Sequence, residues 1–281
     1  MGIKSTNVHE QKALTSGQNA TLQIPSYGKI QSLFLHFLTS AGASVTEAQI
    51  RAEIGNIRLT LGGKDVVNSD AVTLLDLYEA LGVNISESLG VDGVIELNVG
   101  RLFYTDPAVR DLFGWGTADV STIQVQVTAG TLSAIASVQA YTSREAVNEN
   151  LGAHSRFIDY PQSFNATGDH TVDTLPRDLD SAYLMVMAND GASGTITDGE
   201  SKVNSVNVHE KTPLNINKAF ASNSKVVQPA GYFCYTFLDG SLTGRLPMVG
   251  VTDLRFKTTF SVAPGAGGYK MSALTIVGLP A

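Results

Sequence analysis

The chain has 281 residues, 43% of them hydrophobic and only 16% charged, which excludes intrinsic disorder and leaves room for two domains of about 100–150 residues. A net charge of −7 without any basic run excludes a protein that grips nucleic-acid phosphates. No apolar stretch reaches the roughly 20 residues of a membrane-spanning helix.

Residues 1–18 are polar, lack a signal-peptide core and read as an N-terminal arm. Period-two alternation then dominates. It runs through Leu22-Gln23-Ile24, Ile57-Arg58-Leu59-Thr60-Leu61 and Ile95-Glu96-Leu97-Asn98-Val99. It returns in Ile123-Gln124-Val125-Gln126-Val127, Val206-Asn207-Val208 and Leu254-Arg255-Phe256-Lys257. Successive side chains of a strand point to opposite faces, so each segment predicts one buried and one wet face, as in antiparallel sandwiches. The 27 glycines, with abundant Ser, Thr and Asn, suit short strands joined by many turns. Helical signals are few. Ser69 to Leu81 has a cap at Ser69 or Asp70, an apolar face of Leu74, Leu77, Tyr78 and Leu81, and Gly82 as terminator. Ser143 to Leu151 is a second candidate, and short turns are predicted at Asp106-Pro107 and Thr212-Pro213.

The two halves repeat one series. In the first, the strand Ile57–Leu61 leads into the helix from Asp70, then Gly93–Val99, Val120–Val125 and Leu132–Val138. In the second, the strand Val203–Val208 leads into a helix Pro213–Phe220, then Gly231–Phe237, Val251–Phe256 and Met271–Val277. Duplication follows. Each half holds about eight strands in about 110–125 residues, the size of a jelly roll. The expected fold is all-β: two tandem eight-stranded jelly-roll sandwiches with short inserted helices. The first spans 19–141, the second 171–281, and 142–170 is the connector.

Several segments carry a resemblance in series: Gly17–Pro25 as an opening strand, Thr73–Leu77 as the inserted helix, Leu132–Ala136 at the close of the first roll and Asp173–Arg177 at the start of the second. Together they resemble the double jelly-roll major capsid proteins of tailless, membrane-containing icosahedral bacteriophages of the corticovirus type. The resemblance spans nearly the whole chain. It implies a structural subunit of a viral shell, without catalytic activity, located in the virion. It further implies a homotrimer that forms a pseudo-hexagonal capsomer around an internal membrane. The partners implied are neighbouring capsomers and the vertex and membrane proteins of the virion; direct nucleic-acid binding is not expected.

Sites of chemistry are sparse. The single cysteine, Cys234, lies in the apolar run Tyr232–Tyr235 and reads as a buried thiol. The histidines His9, His36, His154, His170 and His209 lack metal-site spacing. Asp106 and Asp111 flank a loop, and Asp169, Asp173, Asp178 and Asp180 cluster in sequence. Loop acids of this kind cap turns or hold Ca²⁺ between subunits. The resemblance requires no cofactor and admits structural Ca²⁺. The Gly265–Gly268 run lacks the Lys-Ser/Thr and helix of a phosphate loop. The glycine-flanked loop Leu112–Gly116 reads either as an anchor packed on its own domain or, through Phe113 and Trp115, as an intersubunit contact. Two other classes fit an all-β chain. A carbohydrate-binding or adhesin-like sandwich needs exposed aromatics, and a jelly-roll enzyme needs a histidine cluster or an acid pair.

Overall fold

The computed structural model describes residues 4–83, 92–99, 107–190, 195–239, 244–265 and 267–279. The chain divides into two units. Unit 1 is Met1–Tyr78 and Val83–Ile158, and unit 2 is Glu79–Gly82 and Asp159–Ala281. No helix among the described residues is long and apolar enough to cross a membrane.

Unit 1 contains β1 (Lys4–Ala13), β2 (Asn19–Ile24), β3 (Lys29–Leu38), β4 (Ile54–Leu61), β5 (Lys64–Asp70), β6 (Val94–Glu96), β7 (Trp115–Gly116), β8 (Ile123–Ala129) and β9 (Ser137–Glu145). Its helices are α1 (Glu47–Glu53), α2 (Ala71–Ala80, of which Glu79 and Ala80 fall in unit 2) and α3 (Pro107–Leu112). One sheet has the order β1-β9-β3-β6, with β7 on β3, and the other runs β5-β4-β8-β2. The next strand, β10 (His154–Gln162), begins in unit 1 beside β5, where Phe157 pairs in parallel with Val67. The alternation of β8 is realised as drawn, with Ile123, Val125 and Val127 inside and Gln124 and Gln126 half-exposed.

Unit 2 contains β11 (Gly168–Val172), β12 (Ser181–Asn189), β13 (Thr195–Val203), β14 (Val206–Pro213), α4 (Leu214–Asn223), β15 (Tyr232–Thr236), β16 (Leu246–Pro247), β17 (Leu254–Val262) and β18 (Tyr269–Val277). The orders are β10-β18-β12-β15, with β16 on β12, and β11-β17-β13-β14. Side chains from both sheets form one core. Phe256 of β17 meets Tyr235 of β15 with ring centroids 5.1 Å apart, and Phe260 meets Tyr269 of β18 at 4.8 Å. Such tilted aromatic pairs contribute about 0.5–1.5 kcal/mol beyond their buried area.

The duplication extends to every strand. β1 to β9 and β10 to β18 occupy the same places in the same two orders, and α2 and α4 both fall between the fifth and sixth strands of their series. The last strand of each series lies between its first and third. This is the double jelly roll, eight strands per roll, with the two-residue β7 or β16 as a further short strand beside the third.

Several details differ from the sequence reading. Part of the segment read as an N-terminal arm is a strand. Lys4–Ala13 forms β1 along β9, polar because it is an edge strand with water on both faces. The 142–170 connector holds the end of β9, all of β10 and the start of β11, and the division between units falls inside β10. No helix forms over Ser143–Leu151, since Ser143, Arg144 and Glu145 continue β9 in register with β3. Val203–Val208 is not one strand. Asn204 and Ser205, at φ 47° and 68°, make the tight turn between β13 and β14, and Asn tolerates that left-handed backbone better than most residues. Ile95–Val99 has no wet face, because all five residues are buried. Helix α1 has a capping box in which Gln49 N–H donates to Thr46 Oγ1 at 3.3 Å and Thr46 N–H to Gln49 Oε1 at 2.8 Å. For α2, the N-terminal residue Asp70 accepts from Thr73 N–H at 2.6 Å, as the sequence indicates.

The Leu132–Val138 segment is a strand only from Ser137. Its first part instead encloses the Glu53 carboxylate at the end of α1. Ser133 Oγ donates at 2.6 Å, and the N–H groups of Ser133, Ala134 and Ile135 donate at 2.9–3.0 Å. Burial raises the pKa of this carboxylate. The Ser133 hydroxyl and the N–H groups of Ile135, Ser133 and Ala134 outweigh that effect and bring it down from 4.5 to about 2. A depressed acid contributes stability above its unfolded pKa, and that contribution is lost as pH falls through the folded value. Unfolding measured from pH 6 downward is therefore expected to show a stability loss between about pH 4.5 and 2 that a Glu53→Gln variant lacks. At neutral pH the same variant should be less stable by about 1–3 kcal/mol in urea titration.

Candidate assembly surface

Among the described residues, chemistry-bearing side chains serve the fold. Cys234 is buried, and burial pushes its thiol up to about 12, far from a nucleophile. Ser201 Oγ lies 2.7 Å from His209 Nδ1, but Ser201 is buried and the other ring nitrogen faces the Thr236 carbonyl at 3.1 Å. Burial holds the His209 pKa below its ordinary value, and the Thr236 carbonyl partly opposes it. The pair therefore ties β13 to β14 and offers no reachable hydrolytic centre. His9, His36 and His170 hydrogen-bond to Thr142, Ser44 and Tyr269, and burial lowers the pKa of each. His154 lies 2.9 Å from the Gly152 carbonyl.

The acids singled out in the sequence do not converge. Asp169 on β11 is ion-paired with Lys257 at 2.7 Å and accepts from Thr259 Oγ1 at 2.6 Å. Its pKa is lowered first by the Lys257 hydrogen bond and then by Thr259. Lys211 on β14 stands 3.3 Å from Asp198 on β13, which accepts from the same Thr259 at 2.7 Å. A ladder of alternating charge thus crosses all four strands of this sheet, a device that stabilises neighbouring strands. Asp173, Asp178 and Asp180 are exposed. The carbonyls of Asp178 and Asp180 accept from Ser181 and Leu279. No three of the His, Cys, Asp and Glu side chains among the described residues are placed to hold a metal within one chain. Asp106 lies outside the described residues.

Phe113 and Trp115 are 2% and 0% exposed, so within one chain the anchor reading fits and the contact reading does not. Trp115 sits on β7, paired with Ile30 of β3. Asn98 Nδ2 holds the loop by donating to the Phe113 carbonyl at 2.9 Å and to the Gln31 carbonyl at 3.2 Å. Glycine at 116 is required by close approach, since a Cβ there would collide with the Asn150 carbonyl. The loop is an anchor on its own unit. Exposed apolar side chains lie elsewhere. Leu112 ends α3 at 59% exposure, and Val8 stands out on edge strand β1. On unit 2, Leu179 and Val249 project from loops and Val206 from the start of β14, and Asn204 and Arg177 tie these segments together through Gly250, Thr252 and Asp253. Ile216 and Phe220 are exposed on α4. The sequence carried that last signal as an i, i+4 apolar pair just after Thr212-Pro213.

A family model for the viral coat protein P2 N-terminal domain matches residues 7–144, and one for its C-terminal domain matches residues 154–273. A search of curated protein sequences found no match. Among solved structures, the major capsid protein P2 from bacteriophage PM2 is similar at a TM-score of 0.80 and 15% identity, covering 99% of this chain and 98% of that one. The atomic structure of Sulfolobus Turreted Icosahedral Virus gives 0.71 at 16% identity, with 99% and 91% covered. The PBCV-1 virus capsid gives 0.62 at 11% identity, with 99% and 95% covered. At these identities the likeness is one of fold. Replacing Trp115 by Ala is expected to cost about 3–5 kcal/mol in chemical denaturation. Because the ring is wholly internal, the same variant should keep the oligomeric mass of the parent below its melting temperature.

Proposed function

Because the chain belongs to the viral coat protein P2 family, we propose that three copies close into a pseudo-hexagonal capsomer that tiles an icosahedral shell around an internal membrane. Membership in a coat protein family assigns a structural role, and the place of action is the capsid of a virion. The observation that carries the finer reading is the repeated strand order of the two units. Three chains with two equivalent blocks each present six blocks, so a threefold ring approximates a hexagon. Its single head-to-tail contact closes on itself and needs no second interface.

The remaining partners are those that membership in a coat protein family supports. Capsomers meet like capsomers over most of the shell and special vertex and membrane proteins where the lattice bends. The net charge of −7 opposes a grip on the enclosed genome. Structural Ca²⁺ belongs at a seam between copies, where acids of two chains meet, since Asp169 is already neutralised by Lys257 within its own chain. A glycan-binding role has little support, because most of the unit 2 aromatics form its core. Of the aromatic side chains among the described residues, only Tyr27 and Phe220 stand among the exposed ones.

Light scattering on the purified protein tests this reading. The expected mass is that of three 29.7 kDa subunits, or larger assemblies of trimers. A monomer that persists at high concentration would overturn it. Adding a chelator separates the metal question: dissociation places Ca²⁺ at the seam, and an unchanged mass removes it from the account.

A further inference from the structure

This inference rests on the trimeric capsomer proposed above and names the contact that closes it. Helices α2 and α4 hold the same place in the duplicated series. In α2, Leu74, Leu75, Leu77 and Tyr78 are at most 3% exposed. In α4, Ile216 is 46% and Phe220 61% exposed, and only Asn217 and Ala221 are buried. Residues four apart on a helix lie side by side, so Ile216 and Phe220 form one apolar strip facing outward. A lone exposed apolar residue is ordinary. A paired strip on a helix whose counterpart buries four large apolar side chains, with Val72 as its one exposed apolar residue at 37%, marks a surface that is covered in the assembly.

Charge indicates what covers it. Residues 214–238 carry Lys218 and Lys225 and no acid, whereas residues 1–158 carry 10 basic and 15 acidic residues. In a head-to-tail ring, unit 2 of each copy faces unit 1 of the next. We propose that Ile216 and Phe220 are the apolar centre of that contact, set against the acid-rich first unit of a second copy. An aromatic anchor at the centre, with lysines at the rim opposite acids, is the usual division of labour in an interface. An anionic lipid leaflet is the less favoured occupant, because two lysines on a chain of net charge −7 give weak attraction to it.

The test compares the full-length protein with Ile216→Asp and Phe220→Asp variants and with Leu112→Asp, an exposed control on unit 1. Mass by light scattering across a dilution series is read beside circular dichroism and melting. The Asp variants are expected to keep the parental spectrum and melting of the monomer while the trimer dissociates at least about tenfold more readily. Leu112→Asp should assemble normally, and Phe220→Leu should retain most of the association. A trimeric parent with trimeric Asp variants would overturn this contact and leave the capsomer standing. A monomeric parent would sink both. Should either Asp variant misfold, Ile216→Ser gives the milder reading of the same contact, with undiminished association as the contrary result. Co-sedimentation with phosphatidylglycerol vesicles covers the lipid occupant: binding lost in the Asp variants with trimer mass intact would also overturn the proposal.

Discussion

The return of the last strand of each unit to a place between the first and third is the constraint on which the rest depends. β9 pairs with both β1 and β3, and β18 runs between β10 and β12. A strand at that place supplies hydrogen bonds on both sides and joins the start of a unit to its end. The pairings are long-range, so their closure entropy is met only when the core is filled. In unit 2 that filling is aromatic and continuous: β12 is buried along Ser181–Ala188, and Phe256 and Phe260 pack across from the other sheet. Buried polar groups are matched in turn, as when Ser272 Oγ donates to Asp159 at 2.7 Å.

Once one unit has this topology, repeating it in the same chain has a geometric result. Each copy presents two blocks of one design that are free to differ in surface. The differences are local. The acid of Glu53 is held by the segment before β9, whereas Met271-Ser272-Ala273-Leu274, its look-alike in sequence, lies within β18 and is not its structural counterpart. α2 buries Leu74, Leu75, Leu77 and Tyr78, while α4 carries its apolar strip outward. Such divergence is what a block needs when its neighbours on the two sides are not the same.

Much of this was legible in the sequence, for physical reasons. Period-two segments such as Ile123–Val127 became strands because one face of each is buried, and the order of the repeat survived because the elements themselves are duplicated. The reading erred where polarity had a second cause. Lys4–Ala13, read as an arm, is polar because it is an edge strand, and Glu96 and Asn98 are polar yet buried. The Leu132–Ile135 motif matched a strand while its backbone serves a carboxylate. The turn at Asn204-Ser205 lacks the glycine that normally announces a tight hairpin. The assembly site was harder still. Trp115 had the composition of a contact residue, but side-chain type does not reveal whether a ring faces its own core or a neighbour. Ile216 and Phe220 lay in a segment too short and weakly amphipathic to stand out.

The central claim is that two equivalent rolls per chain make a six-lobed, threefold particle. Averaged electron micrographs of the purified oligomer, viewed down its axis, test it most directly. The account predicts threefold symmetry with six lobes of nearly equal size around the axis. Twofold particles, or isolated two-lobed molecules at concentrations where the protein is fully associated, would contradict it.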